Sequence, residues 1–377
     1  MVVLLAYQAM LELFTQLAKR NINMTSVESH SMLRIIDANL NRLSEGLRVL
    51  EDLARLQLND PTLTQQLKTM RHNLLRSDHT FNQRLLEARN AAGDIGMDIE
   101  VPEEEKQHDL PTMLVANAKR AQQSIRVLEE LAKTPDTIPG LDPVKLQQTR
   151  FDLYTIEKNL LSKLLRQDKA KHITGLYVIL DSRALKGRTY LEAAHQVING
   201  GARIIQLRDK FLSKRELLPI ALELKSLCAE KNVLFIMNDY LDIALAADAD
   251  GLHLGQNDLP IKIARQLLPI AKVLGGSVTT VEQTATIEAE GADYIAVGAM
   301  YPTKYKETAT VVGIERLRQI REATALPLVA IGGISKDNAA QVIAAGANSI
   351  AMISAILEAE SPEEAARQIK SRFEVSM

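Results

Sequence analysis

From Ile173 onward, short runs rich in Val, Ile and Leu alternate with helical stretches, and the alternation passes through eight rounds. Few folds accept that repeat: near-continuous apolar strands suit a parallel sheet, and the intervening helices must cover it. The strand-like runs lie at Leu176–Leu180, Ile204–Leu207, Leu234–Met237, Gly251–Leu254, Val273–Gly276, Tyr294–Gly298, Leu328–Ile331 and Ser349–Ile353. Helical stretches follow most of them, as at Leu191–Ile198, Lys214–Glu230, Val281–Glu290, Ile314–Ala323 and Asp337–Ala345. Eight such units predict an α/β fold of the (β/α)8 TIM barrel type. A doubly wound open sheet is the second solution.

Upstream the rhythm is helical. Leu40, Leu43, Leu47, Leu50 and Leu53 recur at three- and four-residue spacing, and strand-like runs are scarce from Ser29 to Gln167. A chain of 377 residues exceeds what one core usually serves. Residues 1–171 are therefore read as an all-α helical bundle domain and 172–377 as the barrel, joined near the charged stretch Gln167 to His172. The helical half is internally duplicated. Ala38-Asn39, Arg42 and Arg48-Val49-Leu50-Glu51 return as Ala116-Asn117, Arg120 and Arg126-Val127-Leu128-Glu129, and Arg71 returns as Arg150, so each unit reads as a helical hairpin. Arg48 and Glu51, like Arg126 and Glu129, stand three apart on one helical face. These charges are read as a structural ion-pair network rather than a separate anion site.

The formal net charge of -2 supplies no electrostatic reason to expect nucleic acid or an anionic membrane as partner. The single cysteine, Cys228, lies in an apolar helical stretch, reads as a buried thiol, and fits a reducing cytoplasm. Met1 to Ala9 is apolar but lacks a basic flank and a cleavage site, which argues against a signal peptide and for an amphipathic helix or leader. No stretch approaches the ~20 apolar residues needed to cross a bilayer. A homo-oligomer is compatible with the chain.

The chemistry gathers after the strands, because a barrel of this kind carries its active site on the C-terminal strand ends. Gln206, Arg208 and Lys210 alternate at the end of strand two and point one way, into the mouth; a guanidinium fork beside an ammonium suits a diphosphate. Asp209 points elsewhere. Asp239 after strand three and Asp258 after strand four fall on neighbouring strands, and paired hard oxygens near a phosphate site suggest Mg²⁺. Asp258, just before Leu259-Pro260, also reads as a helix cap, and Asn238 as a turn residue. His253 is read as an inward histidine satisfied by hydrogen bonds, with no chemical role. After strand six, Pro302 stiffens a loop in which Thr303 supplies a hydroxyl and Lys306 can neutralise a leaving group. Gly332-Gly333 after strand seven opens a helix with Ser335 as a candidate cap, and Ser354 follows strand eight; this pairing suits a phosphate.

Taken in order, Gln-x-Arg-x-Lys, Asn-Asp, Gly-Gln-x-Asp, Ser277, Pro-Thr-x-x-Lys and Ile-Gly-Gly-Ile with Ile353-Ser354 resemble the thiamine-phosphate synthase family over about His172 to Phe373. The resemblance implies a transferase that joins a hydroxymethylpyrimidine diphosphate to a thiazole phosphate and releases pyrophosphate. It further implies that Gln206, Leu207, Arg208, Asp209, Lys210, Asn238, Ser277 and Lys306 bind the pyrimidine diphosphate. Asp239 and Asp258 would hold Mg²⁺, while Thr303, Lys304, Tyr305, Gly333, Ile353 and Ser354 would bind the thiazole phosphate. Arg208 and Lys306 are the expected catalytic residues, stabilising the departing pyrophosphate in a dissociative substitution. Where the thiazole is carboxylated, carbon dioxide leaves as well. The chain departs from the family pattern at Tyr305, where threonine is common, and in lacking a histidine shortly after Ser277. The rival readings are a thiazole tautomerase, which needs no metal-diphosphate site, and a non-catalytic regulator that senses thiamine precursors.

Overall fold

The computed structural model describes residues 30–75, 79–90, 109–134, 141–305 and 310–374. They divide into two compact units between Leu164 and Leu165. The division precedes the expected join because helix α5 (Pro143–Lys171) runs without a break through the charged stretch. Met1 to Ala9 lies outside the described residues, among which no helix is long and apolar enough to cross a membrane.

In the first unit, α1 (residues 30–52) continues into a π-helical turn at Leu53–Gln57, followed by α2 (Pro61–Leu75), α3 (His79–Ala88) and α4 (Leu110–Leu131) before α5. Leu43, Leu47 and Leu50 are fully buried, so the leucine spacing marks the core face. The duplication has a physical counterpart. Glu51 on α1 accepts from Arg71 Nε on α2 at 2.9 Å, and Glu129 on α4 accepts from Arg150 Nε on α5 at 3.2 Å. Asn39 and Asn117 each donate to the carbonyl four residues earlier, at 2.8 Å in both cases. The copies differ in their surroundings: Glu129 also takes Arg126 and Lys133, each at 2.9 Å, whereas Arg48 turns to Asp52 at 3.4 Å rather than to Glu51. The α4 start is set by Asp109, whose carboxylate accepts from the Thr112 N–H at 2.8 Å.

The second unit alternates β1 (Gly175–Leu180), α6 (Tyr190–Asn199), β2 (Ile204–Leu207), α7 (Lys214–Glu230), β3 (Leu234–Asn238), α8 (Leu241–Ala246), β4 (Gly251–Leu254) and α9 (Ile261–Leu267). It continues through β5 (Val273–Val278), α10 (Val281–Ala289), β6 (Tyr294–Gly298), α11 (Gly313–Ala323), β7 (Leu328–Ile331), α12 (Ala339–Ala344), β8 (Ser349–Met352), α13 (Ser354–Leu357) and α14 (Pro362–Glu374). All eight strands pair in parallel and in sequence order, and β8 closes on β1 from Gly175–Ser349 to Val178–Met352. This is the (β/α)8 barrel rather than the open sheet.

Period two sorts each strand. Tyr177, Ile179, Ile204, Ile236, Val273, Tyr294, Ala296, Val329 and Ala351 fill the barrel, while Val178, Ile205, Phe235, Leu252, Ile295 and Ile350 pack outward in the cluster shared with the helices. Space for the Tyr294 ring is made by Gly275 on the neighbouring strand, where a Cβ would lie 2.0 Å from Tyr294 Cζ. Capping boxes start two covering helices, Thr189 with Glu192 on α6 and Ser213 with Glu216 on α7. Cys228 is buried in α7, and burial, seconded by Asp250, pushes its thiol up to about 12.

Some boundaries move. Ser277 lies inside β5 and Asn238 ends β3. Helix α12 starts at Ala339, not at Asp337, because the Asn338 carboxamide accepts from the Ser335 N–H at 2.8 Å and donates to Gly333 O at 3.2 Å, holding the preceding residues in a turn. Ser335 keeps the bonds of a cap ahead of the helix itself: its Oγ accepts from the Asp337 N–H at 3.3 Å and its carbonyl from the Ala339 N–H at 3.0 Å, while the position just before α12 is Asn338. The last two turns of α5 belong to the second unit, where Arg166 and Arg265 share Asp293 at 2.8 and 3.0 Å.

Candidate active site

A cavity of about 450 Å³ opens among the C-terminal strand ends. Of the residues expected from sequence, Gln206, Arg208, Lys210, Asn238, Asp239, Asp258, Ser277, Thr303, Tyr305, Gly333, Ile353 and Ser354 line it. Three others do not. Leu207 faces outward and is fully buried between strand and helices, as period two requires of the neighbour of Gln206. Asp209 turns into the β2–α7 loop, accepting from Tyr190 Oη at 2.6 Å and from the Phe211 and Leu212 N–H groups at 2.7 Å each. Burial would raise this carboxyl, but hydrogen bonds from Ser182, Tyr190 and those two amides outweigh it and hold it at about 2. Lys304 is exposed and pairs with Glu358 at 2.8 Å. Lys306 lies outside the described residues.

Opposite charges meet across the mouth. Arg208 Nη1 donates to Asp181, a buried carboxylate after β1 that also takes Arg183 Nε at 3.0 Å. Asp181 thus orients Arg208, and the same carboxylate caps the short turn that follows it by accepting from the Arg183 N–H at 3.2 Å. Lys210 Nζ stands 3.8 Å from Asp239 Oδ2. The Asp239 backbone is left-handed, with φ 61°, and its N–H donates to His253 O at 2.9 Å, tying the β3 end to β4. One Asp258 oxygen accepts from the Gly255 N–H at 2.7 Å, so this carboxylate closes its own turn, and the α9 cap position is Pro260. The Asp239 and Asp258 carboxyls lie within hydrogen-bonding reach of each other; burial first, then Asp258, raises Asp239 to about 6 against the pull of Lys210 and Arg208.

Two crowded carboxylates are a donor set for a hard cation. Among the described residues no group of three or more His, Cys, Asp and Glu side chains could hold a metal ion, so an all-protein cage is not what the site offers. A pair of oxygens suits Mg²⁺, which keeps waters and shares substrate oxygens.

The other side of the cavity is glycine-rich. Gly333 has φ 64°, and a Cβ there would lie 2.6 Å from Pro302 O and 2.7 Å from Tyr301 Cβ, so only glycine lets the β6 and β7 loops touch. Tyr305 donates its hydroxyl to Glu358 Oε1 at 2.5 Å, and the Arg183 guanidinium sits 4.8 Å above its ring. A hydroxyl committed to Glu358 differs from the short threonine side chain of the family pattern.

Beneath these groups runs a polar chain that crosses the barrel. Gln206 Nε2 donates to Tyr177 Oη at 2.7 Å, Tyr177 Oη meets Tyr294 Oη at 3.3 Å, Tyr294 Oη meets His253 Nδ1 at 3.0 Å, and His253 Nε2 meets Ser277 Oγ at 3.0 Å. His253 is thus a hydrogen-bonded interior histidine, as its position within β4 indicates. The two tyrosines gave no signal in the sequence, where an aromatic residue in an apolar strand reads as core.

Comparison with known proteins matches residues 176–356 to the thiamine monophosphate synthase family and residues 34–159 to the ThiD2 family. The thiamine-phosphate synthase of a Synechocystis species is 36% identical over 91% of this chain and 96% of its own length. That of Thermosynechococcus vestitus is 36% identical over 92% of this chain and 96% of its own. Among solved structures, a thiamine phosphate pyrophosphorylase from Pyrococcus furiosus is 39% identical, with a TM-score of 0.51, covering 55% of this chain and 98% of its own.

Proposed function

The chain belongs to the thiamine-phosphate synthase family, and from that footing we infer that it joins a pyrimidine methyl diphosphate to a thiazole phosphate with the residues gathered at this barrel mouth. One observation carries the assignment of roles: Arg208, Lys210 and the crowded pair Asp239 and Asp258 line a single cavity whose far side is the Gly333 and Ser354 loops. Two anionic substrates need two anion-binding sides, and a diphosphate needs cations between it and carboxylates.

In this reading Asp239 and Asp258 hold a magnesium ion, which when bound neutralises diphosphate charge. Arg208, oriented by Asp181, and Lys210 take the remaining charge of the diphosphate as the bond from its oxygen to the pyrimidine methylene carbon breaks. The electron pair leaves with pyrophosphate and the carbon becomes cationic. The thiazole nitrogen lone pair then forms the new C–N bond, with the thiazole phosphate held by Thr303, Gly333 and Ser354. No protein nucleophile takes part; positioning and charge stabilisation supply the rate. The Tyr305 hydroxyl, engaged by Glu358, is left out of the phosphate site.

Mixing both substrates with and without Mg²⁺ and following pyrophosphate tests the reading. Release that needs both substrates and the metal is expected. Binding of both without release would leave a regulator, and metal-independent conversion of the thiazole alone would leave a tautomerase.

A further inference from the structure

The buried chain from Gln206 to Ser277 has a direction, and the direction decides what its ends offer a ligand. Gln206 presents its amide N–H to Tyr177 Oη at 2.7 Å, so that oxygen is an acceptor there. The other partner of the Tyr177 hydroxyl is Tyr294 Oη at 3.3 Å, and its single proton goes to it. Tyr294 must then give its own proton to His253 Nδ1, 3.0 Å away, and a neutral imidazole whose Nδ1 accepts carries its hydrogen on Nε2. That hydrogen goes to Ser277 Oγ at 3.0 Å. With its oxygen accepting from the imidazole, the serine turns its proton toward the cavity that it lines.

We propose that Tyr177, Tyr294 and His253 are positioning residues that set this proton order, fixing Ser277 as a hydrogen-bond donor to the diphosphate substrate and Gln206 Oε1 as an acceptor at the opposite end. Packing supports fixed geometry: both tyrosines are fully buried, their hydroxyls held far from ionisation first by burial, and the His253 ring stacks on Tyr294 with centroids 5.6 Å apart. A reversed chain would require the Gln206 carboxamide to turn its oxygen, not its N–H, toward Tyr177 Oη. It would put the hydrogen on His253 Nδ1, aim the serine proton back at Nε2, and present two acceptors to an anion at Ser277, which is the wrong polarity for a phosphate oxygen. The choice of ligand rests on the synthase reading; the proton order in the ligand-free protein does not.

The experiment is a long-range ¹⁵N–¹H spectrum of histidine-labelled full-length protein at pH 7, with the His253 signal assigned by its loss in His253→Gln. A neutral ring carrying its hydrogen on Nε2 is expected; the Nδ1–H form or an imidazolium overturns the proposal, whatever the enzyme's activity. Tyr294→Phe, which keeps the ring packed beside Gly275, should mix the tautomers and lower kcat about tenfold while KM for the thiazole phosphate moves less than about twofold. An unchanged tautomer with unchanged kcat overturns it. His253→Gln retains an amide donor where Nε2 stood, so it should keep roughly tenfold more turnover than His253→Leu; equal losses count against the chain. Should Tyr294→Phe not fold, the wild-type spectrum and the His253 pair still decide. If the wild-type protein releases no pyrophosphate, the synthase reading fails while the tautomer result stands alone.

Discussion

The Asp239 carboxyl sits in tension between its neighbours, and its behaviour under titration follows from them. An ordinary aspartyl side chain ionises near 3.8, and burial with Asp258 close by raises this one to about 6. A group raised in the folded state contributes stability that is fully present below the unfolded value and is lost as pH rises through the folded one, here from about 3.8 to about 6. A divalent ion takes the charged form and so displaces a proton across that window. The rise in melting temperature on adding Mg²⁺ is therefore expected to be small at pH 5 and to grow by pH 7. A shift independent of pH would contradict the paired-carboxylate site. Asp239→Ala removes the crowding together with the cation ligand, so turnover should fall on the order of a hundredfold or more while the metal-free melting temperature stays level or rises. Parallel losses of activity and melting temperature would mean that the residue serves the fold.

At the level of strands and helices, the sequence was most readable where one physical rule acted alone. Alternation within Ile204–Leu207 or Tyr294–Gly298 separates the barrel interior from the helix-facing side, and those strand limits agree with the structure. The same rule, applied strictly, keeps Leu207 out of the mouth, although it stands inside the contiguous motif that carries the family resemblance. Side chains that bond across long separations left no such mark. Asn338, which reaches back to Ser335 and Gly333, delays α12, and Asp181 and Tyr177 acquire partners only once β1 lies beside β2. Gly275 shows how closely neighbouring strands depend on each other. An alanine there would drive a methyl group into Tyr294, so Gly275→Ala should cost about 1–3 kcal/mol in denaturant unfolding and depress kcat through the displaced ring. Unchanged stability and kcat would show that the barrel interior yields more readily than its packing indicates.

Over the whole chain, the division between Leu164 and Leu165 assigns the last two turns of α5 to the barrel unit. A shortened protein beginning at residue 165 retains Arg166, itself buried, and its part-buried partner Asp293, whereas one beginning at 172 leaves Asp293 with Arg265 as its one arginine of the pair. The longer version should melt higher by several degrees, consistent with roughly 1–3 kcal/mol for losing one arm of a buried ion-pair cluster. Equal melting temperatures would show the arm to be dispensable. Turnover by either version would show that the helical unit is not needed to complete the site. The barrel interior below the cavity is plugged by Ile204, Ile236, Val273 and the two tyrosines, all nearly or wholly inaccessible. A cylinder stoppered at its base has a single doorway, and traffic through one door must queue. Whichever reactant rests against the stopper has to arrive first, and the product piece lodged there has to depart last, so initial-rate kinetics should show a compulsory order instead of random arrival.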